Sequence, residues 1–269
     1  MRSIKLVLSL FIGLLLITCV WFIYDHTTGL KVNHYTFTSP QLLSKPIRIV
    51  FITDLHLTNS STDFERLADI IKYTHDFAPD LILHGGDFTG EDAAVTRMIR
   101  EDILNGLQLF TEIAPNYAIL GNHEWWTDLS WALALNEADI RVIEGGSDSL
   151  MINGSELCLR GLGDAYTGNY IPTPFHESCQ GIRITLTHDP LAIQLDDQGG
   201  LYLAGHTHCG QFNPPLFDPW WSPTRAESEF LCGLGSSEDK LWLVSSGVGT
   251  SIVPLRWGAA SAIEFITIR

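Results

Sequence analysis

The chain has 269 residues, of which 45% are hydrophobic and 17% are charged, and its formal net charge is −15 at pH 7. This length allows one large domain or two small ones, with enough apolar residues for a sizeable core. The negative charge disfavours nucleic acid as a partner, because binding a phosphate backbone requires clustered Lys and Arg. A small phosphate ester is not excluded, since bound divalent cations would reverse the sign of the field inside a site.

An uncharged segment near the N-terminus predicts a membrane anchor. No residue from Leu6 to Tyr24 is charged, and a helix of roughly 20 apolar residues spans a bilayer core. A cleaved signal peptide is one alternative, but the segment lacks a small-x-small cleavage site and is long for such a peptide. A lipoprotein signal would use Cys19, yet the apolar run continues past this residue. We therefore expect residues 1–25 to form an uncleaved transmembrane helix.

The charges beside this helix predict its orientation. Arg2 and Lys5 precede the apolar run and Asp25 follows it directly, although Lys31 partly offsets this asymmetry. Positively charged residues tend to stay on the cytoplasmic side of a membrane. We therefore expect a single-pass protein of the cell (inner) membrane whose main domain lies on the external, periplasmic side.

After the anchor, residues 26–46 are mostly polar with little periodicity, and we interpret them as a linker. The main domain would occupy residues 47–269. Its first half alternates short apolar runs with segments of helical spacing. The predicted strands there are Ile47–Ile52, Asp80–His84, Tyr117–Leu120 and Arg141–Ile143, and the predicted helices are Asp63–Thr74, Ala93–Ile113 and Trp131–Ala138.

The second half of the domain is richer in predicted strands. Leu150–Leu162 alternates around Asn153-Gly154, which predicts a hairpin. Further predicted strands are Ile182–Leu186, Leu201–Ala204, Leu241–Val244 and Ala262–Ile266. Alternating strands and helices followed by mostly strands predict an α/β fold in which two sheets pack together with helices outside.

Five cysteines are present, and one of them, Cys19, lies in the predicted anchor. The remaining four are Cys158, Cys179, Cys209 and Cys232. An even number could form disulfides outside the cytoplasm, and their spacing matches no zinc site. We interpret them as buried free thiols, with disulfides as the alternative.

Five short patches each place possible metal ligands directly after a predicted strand. In chain order they are Asp54-Leu55-His56, Gly86-Asp87, Gly121-Asn122-His123-Glu124, Thr187-His188-Asp189 and Gly205-His206-Thr207-His208. Ligands of open α/β sheets bind beyond the carboxyl ends of the strands, so these loops can meet at one place. Asp, His and Asn side chains suit a divalent metal such as Mn, Fe or Zn, and there are enough of them for two ions.

Structural alternatives exist for single residues of these patches. Asp54 could be a helix cap, and Asp87 could be a turn residue after two glycines. His206 and His208 could be buried core histidines, and His188 is the weakest ligand taken alone. The regular position of the patches at strand ends favours one metal site over these alternatives.

The order of the five patches resembles the calcineurin-like metallophosphoesterase superfamily, over roughly residues 47–269. Within it, the segments 205–211 and 245–256 look like a membrane-associated branch that is similar to bacterial UDP-2,3-diacylglucosamine hydrolases. Cys209 departs from the Gly more usual there, and we expect no loss of metal binding. The resemblance implies a four-layer α/β/β/α fold, with a two-sheet β-sandwich flanked by helices and preceded by one transmembrane helix.

The resemblance also implies a role for each site residue. One metal would be held by Asp54, His56, Asp87 and His208, and the other by Asp87, Asn122, His188 and His206. Asp87 would bridge, because a carboxylate has two oxygens to share. Two metals about 3.5–4 Å apart can hold a hydroxide that attacks phosphorus. His123 is not a ligand in this pattern, and it would donate a proton or a hydrogen bond to the leaving oxygen.

Taken together, these features predict a membrane-anchored phosphoesterase with two divalent metals that hydrolyses a phosphodiester or pyrophosphate bond. Its substrate would be a small-molecule or lipid phosphoester, such as a lipid-linked compound or a nucleotide sugar. Two alternatives are a broad phosphomonoesterase that uses the same site and a non-catalytic metal-binding protein of the same fold.

Clues to the substrate are sparse. Trp125-Trp126 and Trp220-Trp221 could stack on a base or sugar, or touch lipid, but we favour the simpler interpretation that they pack loops onto the domain. Arg225 and Arg256 could bind a second phosphate, or they could pair with surface carboxylates. The substrate-binding residues and the oligomeric state are not predicted.

Overall fold

Two six-stranded β-sheets form the body of the domain. The computed structural model describes residues 2–39, 41, 43–58, 60–90, 97–127, 130–214, 219 and 221–269. In chain order, the strands are β1 (Leu30–Phe37), β2 (Ile47–Ile52), β3 (Leu81–His84), β4 (Asn116–Ala118), β5 (Ile140–Val142), β6 (Ser147–Ile152), β7 (Ser155–Gly161), β8 (Ile182–Leu186), β9 (Gly200–Ala204), β10 (Gly233–Ser236), β11 (Lys240–Val244) and β12 (Ser261–Ile268). The α-helices are α1 (Arg2–Thr28), α2 (Ser61–Phe77), α3 (Arg97–Gln108), α4 (Asn122–Thr127), α5 (Ser130–Glu137) and α6 (Leu191–Leu195).

The strand order places the loops that carry the polar patches together. The first sheet has the order β1-β12-β2-β3-β4-β5, and β2 to β5 are parallel neighbours. The second sheet has the order β10-β11-β9-β8-β7-β6, and β7, β8, β9 and β11 are parallel. Parallel strands have their carboxyl ends at the same edge, so each sheet delivers several loops to one edge of the domain.

Both faces of the first sheet are buried, which explains why its central strands are apolar throughout. Phe51 and Leu83 on one face pack against Leu159 and Leu186 of the second sheet. Val50 and other residues on the opposite face pack against helices. The helix residues in that core are Leu67 of α2, Ile103 and Leu107 of α3, and Trp131 and Leu135 of α5.

The outer face of the second sheet is also covered. Tyr202 of β9 and Trp242 of β11 pack against Ile193 of α6 and against Phe230. The resulting layers are helices, first sheet, second sheet and helix. The predicted two-sheet sandwich flanked by helices is therefore confirmed.

The predicted hairpin is confirmed as β6 and β7, which pair from Ser147↔Arg160 to Ile152↔Ser155. Asn153 and Gly154 connect them with φ values of 53° and 80°, as a two-residue turn of this type requires. The helix predicted over Ala93–Ile113 ends earlier than expected, because α3 ends at Gln108. Its predicted beginning at residues 93–96 lies outside the described residues.

The segment 26–46, predicted as a linker, contributes a strand to the first sheet. β1 pairs in parallel with β12 over eight residues, from Leu30↔Ser261 to Phe37↔Ile268. Val32 packs against the helix-facing core, whereas Tyr35 packs against the core between the sheets. The apolar side chains thus change faces partway along the strand. This change removes the simple alternation of a strand, and the linker prediction is wrong for Leu30–Phe37.

Two disulfides replace the predicted free thiols. They join Cys158 to Cys179 and Cys209 to Cys232, with Cα–Cα distances of 5.9 Å and 4.8 Å. Among the described residues, Cys19 is the free cysteine. The prediction failed because a disulfide depends on which Cβ atoms meet in space, and spacing along the chain does not show this.

The N-terminal helix α1 fits a single-pass membrane protein. Its segment Val7–Thr28 has a mean hydropathy of 2.5, and the most apolar part is not buried by the rest of the protein. An exposed apolar helical segment of this length is stable in a bilayer, because its backbone groups are already paired within the helix.

Candidate metal centre and active site

All eight residues predicted for the site lie together at the carboxyl edge of the sheets, and each is at most 6% exposed. They follow β2, β3, β4, β8 and β9. They are Asp54, His56, Asp87, Asn122, His123, His188, His206 and His208. Five loops from both sheets therefore converge on one buried polar cluster.

The first group of possible ligands contains Asp54, His56 and His208. The Nε2 atoms of the two histidines lie 3.1 Å apart. Asp54 Oδ1 lies 3.8 Å from the His56 Nε2 and 3.6 Å from the His208 Nε2. One atom from each residue thus faces a common point, as the ligands of a single ion do.

The second group contains Asp87, His188 and His206. His188 Nε2 lies 3.2 Å from Asp87 Oδ2 and 3.2 Å from Asn122 Oδ1. Asn122 begins α4, a helix that the sequence did not predict. The amide oxygen of Asn122 is thereby held beside the second group.

Asp87 connects the two groups through one of its oxygens. Its Oδ2 lies 3.2 Å from His188 Nε2 in the second group and 3.5 Å from His56 Nε2 in the first. Its Oδ1 accepts a hydrogen bond of 2.9 Å from the backbone N–H of His123. The family resemblance implied that Asp87 would share its two oxygens between two ions, whereas the geometry directs Oδ2 toward both groups.

The donor set fits divalent cations. His188 Nδ1 donates to the carbonyl of Gly85 at 2.7 Å. The Nε2 of His188 then faces the oxygens of Asp87 and Asn122. This arrangement is favourable when a proton or a metal ion lies between Nε2 and those oxygens. Burial opposes a positive charge there, yet Asp87 raises the pKa of His188 well above its usual value. The buried Nε2 of His206 has no hydrogen-bond partner within the described residues. Burial lowers the pKa of His206 to about 3, which leaves a neutral imidazole of the kind that binds metals.

His123 lies at the edge of the cluster. Its Nε2 is 3.9 Å from Asp87 Oδ2, and its ring meets that of His56 edge-on at 4.6 Å. His56, Asp87 and His123 also lie close enough together to hold an ion. The geometry therefore permits either a ligand role or a role toward the substrate for His123.

Glu124 holds two of the loops in register. Its carboxylate accepts hydrogen bonds from the backbone N–H groups of Asp87, Phe88, Thr89 and Gly121. Burial, and then the charge of Asp87, raises the pKa of Glu124 to about 7. Four donors on one buried carboxylate fix the backbone of the β3 and β4 loops relative to each other.

The backbone of the cluster is strained where the sequence places possible ligands. Positive φ values occur at Asp54, His56, Asp87, His206 and His208, between 45° and 66°. Residues other than Gly rarely adopt this conformation, and such strain concentrates at functional sites. The flanking glycines are needed for close approach, since a Cβ on Gly121 would lie 2.1 Å from Asp87 Oδ1.

A cavity of about 100 Å³ opens onto the cluster. Trp126 and Tyr166 form one wall, with ring centroids 6.0 Å apart, and Trp221 and Ile252 lie on the cavity as well. Trp125 instead packs its loop, donating from Nε1 to Glu144 at 3.3 Å. The interpretation of the tryptophans as loop packing thus suits Trp125, whereas Trp126 and Trp221 line the cavity. Trp220 lies outside the described residues.

Arg256 has neither of the roles considered for it. It is fully buried and donates to the backbone carbonyls of Gly249 and Ala259, and its Nη2 lies 3.0 Å from His208 Nδ1. Both the phosphate-binding and the surface-pairing predictions are wrong for Arg256, because the segment after β11 folds over its side chain. Arg225 is exposed and does not line the cavity.

Tyr166 is a cavity residue that the sequence reasoning missed. It lies in a turn that Asp164 stabilises by accepting hydrogen bonds from the backbone N–H groups of Tyr166 and Thr167. Gly163-Asp164 follows β7 much as Gly86-Asp87 follows β3. This repeated pattern was a signal for a further loop at the site.

Comparison with known proteins agrees with this arrangement. A family model described as calcineurin-like phosphoesterase matches residues 47–210. The chain is 29% identical over 211 residues to "Phosphodiesterase YaeI" of Escherichia coli (strain K12), covering 76% of each chain. It is 26% identical to "Uncharacterized metallophosphoesterase YkoQ" of Bacillus subtilis (strain 168), covering 96% of this chain and 98% of that protein.

A longer relative carries the words transmembrane protein in its name. The chain is 26% identical over 243 residues to "Transmembrane protein with metallophosphoesterase domain" of Danio rerio, covering 83% of this chain and 53% of that protein. Members of the matched family use divalent metals, and the His and Asp groups described above suit such ions. The chain therefore belongs to the calcineurin-like phosphoesterase family and is a metal-dependent phosphoester hydrolase.

Proposed function

We propose that the protein is a membrane-anchored phosphodiesterase or pyrophosphatase whose site holds two divalent cations. One observation carries this proposal: two groups of buried ligand atoms meet at Asp87 Oδ2. One cation would be bound by Asp54, His56, Asp87 and His208, and the other by Asp87, Asn122, His188 and His206. The mixture of oxygen and nitrogen ligands suits Mn, Fe or Zn.

When bound, the two cations would activate a water molecule and neutralise charge on the phosphate. Side chains of the site would supply the remaining interactions with the substrate and the leaving group. Asn122 supplies a neutral oxygen, which limits the negative charge around an anionic substrate. His123, at the cavity edge, donates a proton or a hydrogen bond to the leaving oxygen.

The cavity favours a diester over a monoester. Its described lining residues include no Lys or Arg, so no side chain there compensates the second charge of a phosphate monoester. Trp126 and Tyr166 offer aromatic surface to the second substituent of a diester. The substrate class that follows is a small-molecule or lipid phosphoester, such as a lipid-linked or nucleotide-sugar compound.

The test compares hydrolysis of bis(p-nitrophenyl) phosphate and p-nitrophenyl phosphate by the full-length protein in detergent with Mn. We expect kcat/KM to be higher for the diester. A monoester preference of roughly tenfold, about 1.4 kcal/mol in activation free energy, would overturn the diester proposal. A panel of nucleotide-sugar and phospholipid substrates under the same conditions then identifies the leaving group.

We further propose that the protein lies in the cell (inner) membrane with its catalytic domain on the periplasmic side. The charges flanking α1 support this orientation. The two disulfides also support it, because disulfides persist in oxidising compartments. Alkaline phosphatase fused to the C-terminus should be active and a fluorescent protein fused there should be dark. The opposite pattern would reverse the orientation.

A further inference from the structure

An apolar loop lies on the surface beside the catalytic cavity. From Thr250 to Leu255 the chain contains no charged residue. Ile252 is 68% exposed, and Val253 and Leu255 are 44% and 43% exposed. Three large apolar side chains are thus presented to the surroundings within four consecutive residues.

The residues that directly follow this loop are hydrogen-bonded to the last turn of α1. The backbone N–H of Arg256 donates to Thr27 Oγ1 at 2.8 Å, and that of Gly258 donates to His26 Nδ1 at 3.0 Å. Arg66 Nη2 donates to the Thr27 carbonyl at 2.9 Å. Since consecutive Cα atoms are 3.8 Å apart, the Cα atoms of Ile252, Val253 and Leu255 lie within about 15 Å of that of Arg256.

The loop is also fixed from the side of the active site. Gln211, which closely follows His208, donates from Nε2 to the carbonyls of Ser251 and Val253 and accepts from the Ser251 N–H. Ile252 has a φ of 61°, a conformation that is unfavourable for a β-branched residue. A strained backbone that presents an apolar side chain outward indicates a contact outside the domain.

We propose that Ile252, Val253 and Leu255 insert into the surface of the membrane that α1 spans. The continuity with α1 identifies a lipid bilayer as the partner, because Arg256 and Gly258, directly after the loop, are hydrogen-bonded to the end of the membrane helix. Trp21 and Tyr24 are exposed near the same end, where aromatic residues mark the membrane interface. A chain with a net charge of −15 is not attracted to an anionic lipid surface, so an uncharged apolar loop suits this contact.

Insertion of this loop would also position the active site relative to the membrane. Ile252 belongs both to the apolar loop and to the lining of the catalytic cavity. Insertion of the loop would therefore hold the cavity mouth at the lipid surface, and the domain would not move freely on a flexible stalk. The inference rests on the proposed insertion of α1 in the membrane. The experiment distinguishes a failure of helix insertion from a failure of loop insertion.

The test uses the full-length protein with Cys19→Ser and with both disulfides intact. A single cysteine is introduced by Leu255→Cys and labelled with an environment-sensitive fluorophore. The protein is then reconstituted into phosphatidylcholine–phosphatidylglycerol vesicles. Quenching by iodide reports water contact, and quenching by doxyl-labelled lipid reports membrane contact. Val253→Cys serves as a second position in case the first variant does not fold.

Two further variants provide the controls. Leu241→Cys is matched in exposure, at 42% against 43% for Leu255, and lies at the amino end of β11, the edge opposite the site. Ile17→Cys lies within α1 and reports insertion of the helix. We expect lipid quenching at Leu255 to be at least threefold stronger than at Leu241, with iodide quenching correspondingly weaker.

Three results would overturn the inference. Equal iodide quenching at Leu255 and Leu241, with lipid quenching at Ile17, would reject loop insertion and leave the anchor in place. Protection of Leu255 from iodide without lipid quenching would show that protein, such as a second copy of the chain, covers the loop. Absence of lipid quenching at Ile17 would reject the membrane anchor and the loop insertion together.

Discussion

Replacement of His123 by Ala tests the chemistry proposed for the site. The side chain places Nε2 3.9 Å from Asp87 Oδ2, whereas the backbone N–H of His123 makes the hydrogen bond to Asp87 Oδ1. His123→Ala keeps that backbone bond and removes only the imidazole. If His123 acts on the leaving oxygen, turnover should fall about 10²–10⁴-fold, or about 2.7–5.4 kcal/mol in activation free energy, while the metals stay bound.

The assay has two measurements on the same preparation. Turnover of bis(p-nitrophenyl) phosphate is measured under saturating substrate, and bound metal per chain is measured by elemental analysis. His188→Ala is the matched control, because its Nε2 lies between Asp87 and Asn122 and its loss should remove metal. A diester with a poorer leaving group should show a larger effect of His123→Ala, since such a group needs a proton more.

A loss of bound metal in His123→Ala as large as that in His188→Ala would contradict the proposed role of His123 toward the leaving oxygen. His123 would then be a ligand, within the group that His56, Asp87 and His123 form. A decrease in turnover smaller than tenfold, with metal retained, would also reject proton donation by His123.

Three further predictions concern stability. Glu124→Gln turns an –NH₂ group toward two of the four backbone donors that Glu124 now accepts, and should lower the free energy of urea unfolding by about 2–5 kcal/mol. A loss below roughly 1 kcal/mol would contradict this. Replacing Cys158 and Cys179 by Ser opens a bridge with a sequence separation of 21 and should cost about 3 kcal/mol with unchanged turnover; equal melting temperatures would refute it. Burial raises the pKa of Glu144 to about 7. Because this pKa is above its unfolded value, the folded protein holds an extra proton between about pH 4.5 and 7, and stability falls as pH rises through that range. Glu144→Gln should flatten this part of the stability–pH curve, and an unchanged slope would reject the assignment.

Several features were predictable because they depend on local sequence. The buried strands before Asp54 and Asp87 are continuous apolar runs, and Gly beside each patch allows the backbone to approach a neighbouring loop. The family follows from the order of five patches, and the match over residues 47–210 confirms it. The structure brings the eight predicted side chains into one cluster, while their roles as ligands stay predictions.

Other features depend on contacts between distant residues. β1 exists because Leu30–Phe37 pairs with the C-terminal strand, more than 200 residues away in the chain. Arg256 looks like a surface residue in the sequence, yet it is buried behind His208. Tyr166 enters the cavity wall only because the loop after β7 folds across to His206 and Trp126.

By itself, the sequence determined the chemical type of the site, because ligand residues and the strands before them are local features of the chain. It also determined that α1 is apolar enough to cross a bilayer. Only the tertiary structure decided which carboxylate oxygen of Asp87 faces both ligand groups and which cysteines pair. It also decided that the apolar loop at Ile252 lies beside the end of α1. These properties depend on distances between segments far apart in the chain, which are set only when the two sheets pack together.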